Sequence, residues 1–256
     1  MARAAAFFVS FPKSGRSWVR VFYFAYLSKL ASREFSLDAT KFPEYPHLVF
    51  THDRWEHRLL PGWWNFIRGK QLIPLEARRK KKIVLMVRDP RDVTVSLYFH
   101  LLKRPHVFRW TPQPIGEMLR DPKFGIAHVV ELMNRWLAEW RGRKDFKLMR
   151  YEDCKTGVQQ EFRGLLGFLG LAPINEAALA HAMEFSRFEN MHALEASGKF
   201  NEKELSAGNP ADNDSFKTRR GKVGGFRDYF GADDLAFAAG EMEKLDPLFG
   251  YVAQIQ

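Results

Sequence analysis

Four short apolar runs, most of them followed by a polar turn and then by apolar residues at helical spacing, constrain the fold of this chain. The helical spacing is clearest over Ile126–Trp140. Asp89 and Pro90 suit the cap and the first turn of another helix. Strand–turn–helix units repeated in this way favour an α/β domain in which helices flank a central parallel sheet. The predicted strands are Ala4–Phe11, His47–Thr51, Lys81–Arg88 and Phe146–Glu152.

Length and composition fit a single domain that spans residues 1–256. A chain of 256 residues of which 46% are hydrophobic can bury a sizeable core. Its one cysteine, Cys154, excludes a disulfide framework and a cysteine-based metal site. No apolar run is long enough to span a membrane and no signal peptide precedes the first strand. We therefore expect a soluble, cytoplasmic protein.

The net charge of +10 and the pI near 9.7 predict an anionic partner. Nucleic acid, a membrane surface and a phosphorylated small molecule are all compatible with this charge. The five basic residues Arg78–Lys82 are expected to form a solvated strand edge or to touch such a partner. Ala196–Arg220 is polar and predicts a long mobile loop that acts as a lid or a binding segment.

Pro12–Trp18 has the composition of an anion-binding loop between a strand and a helix. Backbone N–H groups in such a turn, with the positive end of the helix that follows, attract an anion. Ser14 and Ser17 can donate hydrogen bonds, and Lys13 adds a mobile charge. The loop is not a Walker A motif, because Gly15 follows the lysine instead of preceding it. An ordinary Ser/Gly turn with a solvated lysine is the alternative.

Two further stretches place arginines where a phosphate could bind. Arg88 stands at the C-terminal tip of a predicted strand, the edge at which open parallel sheets bind ligands, and its planar guanidinium suits a phosphate. Ser96 lies in the helix that follows. Arg219–Phe230 ends the polar loop with arginines and glycines. The alternative to phosphate binding by Arg88 is an ion pair with Asp89 or Asp92. The alternative for Arg219–Phe230 is a solvated basic loop.

These three stretches, in this order, resemble the cytosolic-type sulfotransferase family. Pro12–Trp18 is similar to the family loop P-K-S-G-T-T-W, and Arg88 to Ser96 matches the motif R-[DN]-P-[KR]-D-x-x-x-S in full. Arg219–Arg227 is similar to R-K-G-x-x-G-x-[WF]-[KR]. The resemblance implies a P-loop-kinase-like three-layer fold. It also implies transfer of a sulfuryl group from 3′-phosphoadenosine 5′-phosphosulfate (PAPS) to an acceptor hydroxyl or amine, with adenosine 3′,5′-bisphosphate (PAP) as the product.

The resemblance implies a role for each matching residue. The 5′-phosphosulfate would bind to Lys13, Ser14, Gly15, Arg16 and Ser17, with Trp18 against the adenine. The 3′-phosphate would bind to Arg88, Ser96, Arg219, Arg220 and Gly221. The adenine would also contact Tyr151, Ser186 and Phe188.

Catalysis would rest on His52, Lys13 and Ser96. Sulfuryl transfer resembles phosphoryl transfer in its loose, in-line transition state, so cations at the leaving group matter more than covalent intermediates. Lys13 is the expected partner of the bridging oxygen, and Ser17 can add a donor. His52 stands where the family carries its catalytic base, and Asp53 is the alternative base. No metal is required, and the sequence has no evident cluster of metal ligands.

Several positions depart from the family pattern. Arg16 replaces a small hydroxyl residue, and its charge could bind the donor or acid groups of an acceptor. Phe50 replaces the lysine two residues before the catalytic histidine, and Gly225 and Phe226 replace the commoner Asp-Trp. The family's dimerisation motif, expected from Arg227 onward, is not matched, so that dimer is not predicted.

The expected acceptor is a hydroxyl-bearing small molecule, a lipid or a carrier-bound alcohol or phenol. Arg54–Lys70 mixes Trp55 and other aromatic residues with basic ones and could line its pocket, whereas His100 is expected to pack or to line that pocket. A P-loop nucleotide or small-molecule kinase is the first alternative function, although the loop lacks its first glycine. A nucleic-acid-binding protein is the second, and it leaves the spacing of the three motifs unexplained. No nucleic-acid partner is therefore expected.

Overall fold

The structure of the chain is a computed structural model that describes residues 4–53, 55, 73–104, 110–200 and 205–253. Of the expected acceptor stretch, residues 54–70, only Trp55 lies within these ranges. The strands are β1 (Ala6–Ser10), β2 (Leu48–Thr51), β3 (Lys82–Val87) and β4 (Phe146–Arg150). The helices within the described ranges are α1 (Arg16–Leu30), α2 (Leu75–Lys80), α3 (Pro90–Lys103), α4 (Ile115–Arg120), α5 (Ile126–Trp140), α6 (Tyr151–Thr156), α7 (Val158–Leu169), α8 (Glu176–Phe185), α9 (Phe188–Ala196) and α10 (Ala232–Met242).

The four strands form one parallel sheet in the order β2–β1–β3–β4. The register pairs Val9 with both Thr51 and Leu85, and Val87 with Arg150. The carboxyl ends of the strands therefore meet at one edge of the sheet, where ligands bind in open α/β folds. The residues that follow the strands at this edge include Pro12, His52, Arg88 and Tyr151.

Alternate strand residues face two separate hydrophobic cores. Phe7 and Val9 pack with α3, α5 and α10 on one side of the sheet. Ala6 and Phe8 pack with α1, α7 and α8 on the other, and all four side chains are fully buried. Both faces of the sheet are covered, which explains why the two central strands, β1 and β3, are apolar along most of their length. The predicted three-layer α/β fold is confirmed, and α5 covers the predicted span.

The polar segment after α9 is attached to the domain in its described part, residues 205–220. Leu205 is fully buried and Phe216 nearly so. The guanidinium of Arg104, just after α3, donates to the carbonyl oxygen of Ser215 from Nε (3.1 Å) and from Nη2 (2.8 Å). These contacts hold the end of the segment against the last turn of α3. Mobility of the segment stays a prediction.

Candidate active site

The loop after β1 adopts a left-handed backbone at two positions. Lys13 has φ 73° and Gly15 has φ 100°. A Cβ at Gly15 would lie 2.7 Å from Cδ2 of Tyr151 and 2.8 Å from Cε of Met86, so only glycine fits here. Helix α1 begins after Gly15 without a capping side chain, and its first turn has no carboxylate. The positive end of α1 is therefore suited to an external anion.

Arg88, just beyond β3, connects three parts of the site. Its Nη1 donates to the carbonyl oxygen of Lys13 (3.3 Å), and its Nη2 donates to that of Lys222 (2.8 Å). The guanidinium carbon lies 4.5 Å from the centre of the Tyr151 ring. Within the described part of the chain, the buried Nε of Arg88 has no hydrogen-bond partner. A guanidinium with an unused donor at this edge is suited to an anionic ligand.

The predicted alternatives for Arg88 are only partly realised. Asp92 lies 3.6 Å from Arg88 Nη2, but its carboxylate also accepts from the N–H groups of Gly224 (2.8 Å) and Phe226 (2.9 Å). Asp92 thereby attaches the Arg219–Phe230 segment to α3. Asp89 does not pair with Arg88: it caps α3 and pairs with Arg91 at 2.6 Å.

Three of the predicted adenine residues come together beside Arg88. Trp18 makes an edge contact with Tyr151, with ring centres 5.8 Å apart. The Tyr151 hydroxyl donates to the carbonyl oxygen of Gly221 (3.3 Å), and a Cβ at Gly221 would lie 3.0 Å from the Phe188 ring. Ser186 is different: it is buried, and its hydroxyl donates to the Met183 carbonyl oxygen (3.4 Å) at the end of α8.

The two arginines predicted to bind the 3′-phosphate share one partner. Tyr229 Oη accepts from Arg219 (2.7 Å) and from Arg220 (3.0 Å). Arg219 also lies over the Phe99 ring at 3.9 Å, and Arg220 pairs with Asp228 at 2.7 Å. Tyr229 was not singled out by the sequence analysis. Ser96 lies on α3, as predicted, and its side chain is half-buried.

His52 follows β2 and is oriented by the backbone of β1. Its Nδ1 lies 2.8 Å from the Ser10 carbonyl oxygen, so Nδ1 carries the proton and Nε2 is the basic nitrogen. Burial holds the pKa of His52 well below its usual range, and the charges of Arg16, Lys13 and Lys217 act in the same direction. The imidazole is therefore neutral at pH 7, the form that a general base requires.

Asp53, the alternative base, is part of a buried ion-pair network. It is fully buried and pairs with Arg78, which also bonds to Glu139 at 2.8 Å. Its carboxylate accepts from the Ile73 N–H (3.1 Å) and from Nε1 of Trp136 (3.2 Å). This network assigns Asp53 a structural role. It also corrects the expectation of a solvated edge at Arg78, which is buried on α2, whereas Arg79 and Lys80 of the same basic run are exposed.

Positive charge accumulates between the loop and α3. Burial lowers the pKa of Lys13 to about 7, with repulsion from Lys217 as the next cause. Burial and the charge of Arg104 lower the pKa of Lys217 to about 8. Burial, followed by Lys13, lowers the pKa of His100 to about 2. The low pKa values of Lys13 and Lys217 mean that their charged forms are disfavoured in this environment. An added anion would stabilise these ammonium groups.

A model of the sulfotransferase domain matches residues 4–243 of the chain. The protein belongs to the sulfotransferase family. A flavonol 3-sulfotransferase from Flaveria bidentis is 26% identical over 94% of this chain and 79% of its own. A mouse sulfotransferase solved in complex with PAP superposes with a TM-score of 0.62 at 19% identity, over 94% of this chain and 84% of that one. Retinol dehydratase in complex with retinol and PAP superposes with a TM-score of 0.64 at 17% identity, over 94% of this chain and 82% of that one.

Family membership confirms the resemblance drawn from the three motifs and identifies the chain as a sulfotransferase enzyme. The likeness to the two solved structures confirms the fold. None of the helices that the structure describes is both long and apolar enough to cross a membrane. The cytoplasmic location stays a prediction.

Proposed function

We propose that this sulfotransferase transfers a sulfuryl group from PAPS to an acceptor hydroxyl, with His52 as the general base and PAP as the product. The observation that carries the proposal is the position of Arg88. Its guanidinium joins the Lys13 loop to the Lys222 segment at the carboxyl edge of the sheet. The kinase and nucleic-acid alternatives are not proposed, because membership of the sulfotransferase family accounts for all three motifs.

The residues present suit the proposed donor. The buried Nε of Arg88 lacks a partner within the described ranges, and α1 begins with an uncapped positive end. Lys13 and Lys217, with their lowered pKa values, would be stabilised by the charge of a phosphosulfate. Trp18, Tyr151 and Phe188 offer aromatic surface for a base. These features support the assignments of the 5′-phosphosulfate, 3′-phosphate and adenine residues made above.

PAPS would supply an activated sulfuryl group whose departure leaves PAP. Lys13 would hold its ammonium against the oxygen that becomes the leaving phosphate, where negative charge develops. Nε2 of His52 would take the proton of the acceptor hydroxyl, while Nδ1 keeps its bond to the Ser10 carbonyl oxygen. Ser17 and Ser96 would donate hydrogen bonds to the donor.

The acceptor that we propose is an alcohol or a phenol. The flavonol 3-sulfotransferase by its name acts on a flavonol, and retinol dehydratase is solved with retinol, which are both hydroxyl-bearing small molecules. Trp55, whose ring makes an edge contact with His52 at 5.9 Å, belongs to the stretch that we expect to line the acceptor pocket.

The test is formation of PAP from PAPS in the presence of a panel of aliphatic alcohols and phenols. We expect at least one acceptor to support turnover, and His52→Asn to reduce that turnover by about 10²-fold or more. The variant should bind PAP as the wild type does, since the imidazole is assigned to the acceptor. Unchanged turnover in a folded His52→Asn protein would refute the role of His52 as the base.

A further inference from the structure

Tyr229 connects the two arginines that end the polar loop. Its hydroxyl oxygen accepts a hydrogen bond from Nη1 of Arg219 (2.7 Å) and another from Nη1 of Arg220 (3.0 Å). Two guanidinium groups that share one acceptor lie side by side, although like charges repel each other. Because the shared acceptor is a hydroxyl rather than a carboxylate, it aligns the two cations without neutralising them.

Aromatic rings fix the position of Arg219. Its guanidinium carbon lies 3.9 Å from the centre of the Phe99 ring and 5.4 Å from that of Tyr229. The two rings make an edge contact with centres 5.2 Å apart, and the Arg219 side chain is only 11% exposed. The carboxylate of Asp214 lies 3.4 Å from the guanidinium and is partly exposed, so this ion pair is weak. The rings and the Tyr229 hydroxyl therefore determine where this guanidinium lies.

The arginine pair lies on the same face of α3 as Ser96, the helical residue assigned to the 3′-phosphate. Asp92, Ser96 and Phe99 are spaced i, i+4 and i+7, which places them on one face of the helix. Asp92 accepts from two backbone N–H groups of the segment 224–226, and Phe99 contacts both Arg219 and Tyr229. The segment 224–229 is thus attached to α3 on both sides of Ser96.

We propose that Tyr229 is a positioning residue that gives the donor site its preference for a 3′-phosphate, because its hydroxyl aligns Arg219 and Arg220 for that group. The inference rests on the proposed function, which assigns both arginines to the 3′-phosphate. Two aligned guanidinium groups suit a phosphate dianion, since each can donate two hydrogen bonds to its oxygens.

Arg220 depends most on the shared acceptor. Its side chain is 42% exposed, and its other described partner is the surface carboxylate of Asp228, at 2.7 Å. Asp228 also pairs with Lys222 at 2.9 Å. Without the Tyr229 hydroxyl, Arg220 would keep only this solvated ion pair and would lose its alignment with Arg219.

The experiment compares PAP with 5′-AMP, which lacks the 3′-phosphate. Dissociation constants are measured by calorimetry for the wild type and for Tyr229→Phe, which keeps the ring against Phe99 and removes only the hydroxyl. We expect Tyr229→Phe to weaken PAP binding by about tenfold, the effect of one lost charged hydrogen bond, and 5′-AMP binding by less than about threefold. Its melting temperature should stay within a few degrees of that of the wild type.

A second comparison tests whether Tyr229 acts through the arginines. In a protein that already carries Arg219→Met and Arg220→Met, adding Tyr229→Phe should change the affinity for PAP by less than about twofold. A further tenfold loss in that background would contradict the positioning role.

Tyr45→Phe is the matched control, because it removes the same hydroxyl from a half-buried tyrosine that packs against the α1 side of the core, just before β2. It should leave both affinities unchanged. Equal weakening of PAP and 5′-AMP in Tyr229→Phe, or no weakening of either, would overturn the inference while a wild type that prefers PAP leaves the proposed function intact. A wild type without preference for PAP would overturn both.

Discussion

Asp53→Asn and His52→Asn separate the two candidate bases by stability and turnover. Asn is nearly isosteric with Asp, but it removes the charge that faces Arg78, whose side chain is buried. Its amide group would also replace an oxygen that accepts from Ile73 or Trp136. Breaking a buried ion pair from one side costs about 3–5 kcal/mol. The lower part of this range applies here, because Glu139 still pairs with the Arg78 charge.

For a chain of this size, that loss lowers the melting temperature by roughly 6–20 °C. His52→Asn removes one hydrogen bond to a carbonyl oxygen, about 1 kcal/mol, and should melt within a few degrees of the wild type. The assay is thermal unfolding followed by circular dichroism, together with turnover measured well below both transitions.

We expect Asp53→Asn to melt early yet to retain most of its turnover while folded, and His52→Asn to show the reverse. An Asp53→Asn variant with an unchanged melting temperature and a turnover loss as large as that of His52→Asn would refute the structural assignment of Asp53. It would make that carboxylate the base.

Three further predictions follow from the geometry and charges of the site. Gly15→Ala places a Cβ 2.7 Å from its neighbour at φ 100° and should abolish PAP binding. Gly142 has a similar φ of 83°, but a Cβ added there would meet nothing within 4 Å. Gly142→Ala should therefore cost only about 1–2 kcal/mol of stability and leave PAP binding intact. Equal behaviour of the two variants would contradict the steric argument. Binding of PAP at pH 8 should take up roughly one proton, because an anion raises the pKa values of Lys13 (about 7) and Lys217 (about 8). Calorimetry in two buffers of different ionisation enthalpy measures the number of protons taken up. Release of protons on binding would contradict the prediction. Turnover with an aliphatic alcohol should show no protonation step near pH 6.5, because the pKa of His52 lies well below its usual range. An inflection near pH 6.5 in the pH–rate profile would contradict the neutral state of the His52 imidazole.

The parts of the site that follow strands could be predicted from the sequence. Apolar runs and helical periodicity are local signals, and parallel strands necessarily bring their carboxyl ends to one edge. Arg88, His52 and Tyr151 each follow such a run, so their convergence needs no knowledge of side-chain packing. The bounds of α5 were also predictable, because its apolar face is continuous.

The parts that depend on contacts distant in sequence could not be predicted. Asp53 and Arg78 are 25 residues apart, and Glu195 meets Lys217 across the end of the polar loop. Charged residues of this kind give the same local signal whether they are solvated or buried in pairs. A solvated edge was therefore expected for the basic run, whereas Arg78 within it is buried. Glu195, just before the polar loop, is buried as well.

The central claim is that Arg88 and its surroundings bind the 3′-phosphate of PAPS. The measurement that tests it most directly is calorimetric binding of PAP and of 5′-AMP, without magnesium, to the wild type and to Arg88→Lys. We predict that the wild type binds PAP at least about tenfold more tightly than 5′-AMP, and that Arg88→Lys loses most of this preference, since lysine lacks the planar fork. No preference for PAP in the wild type would contradict the account.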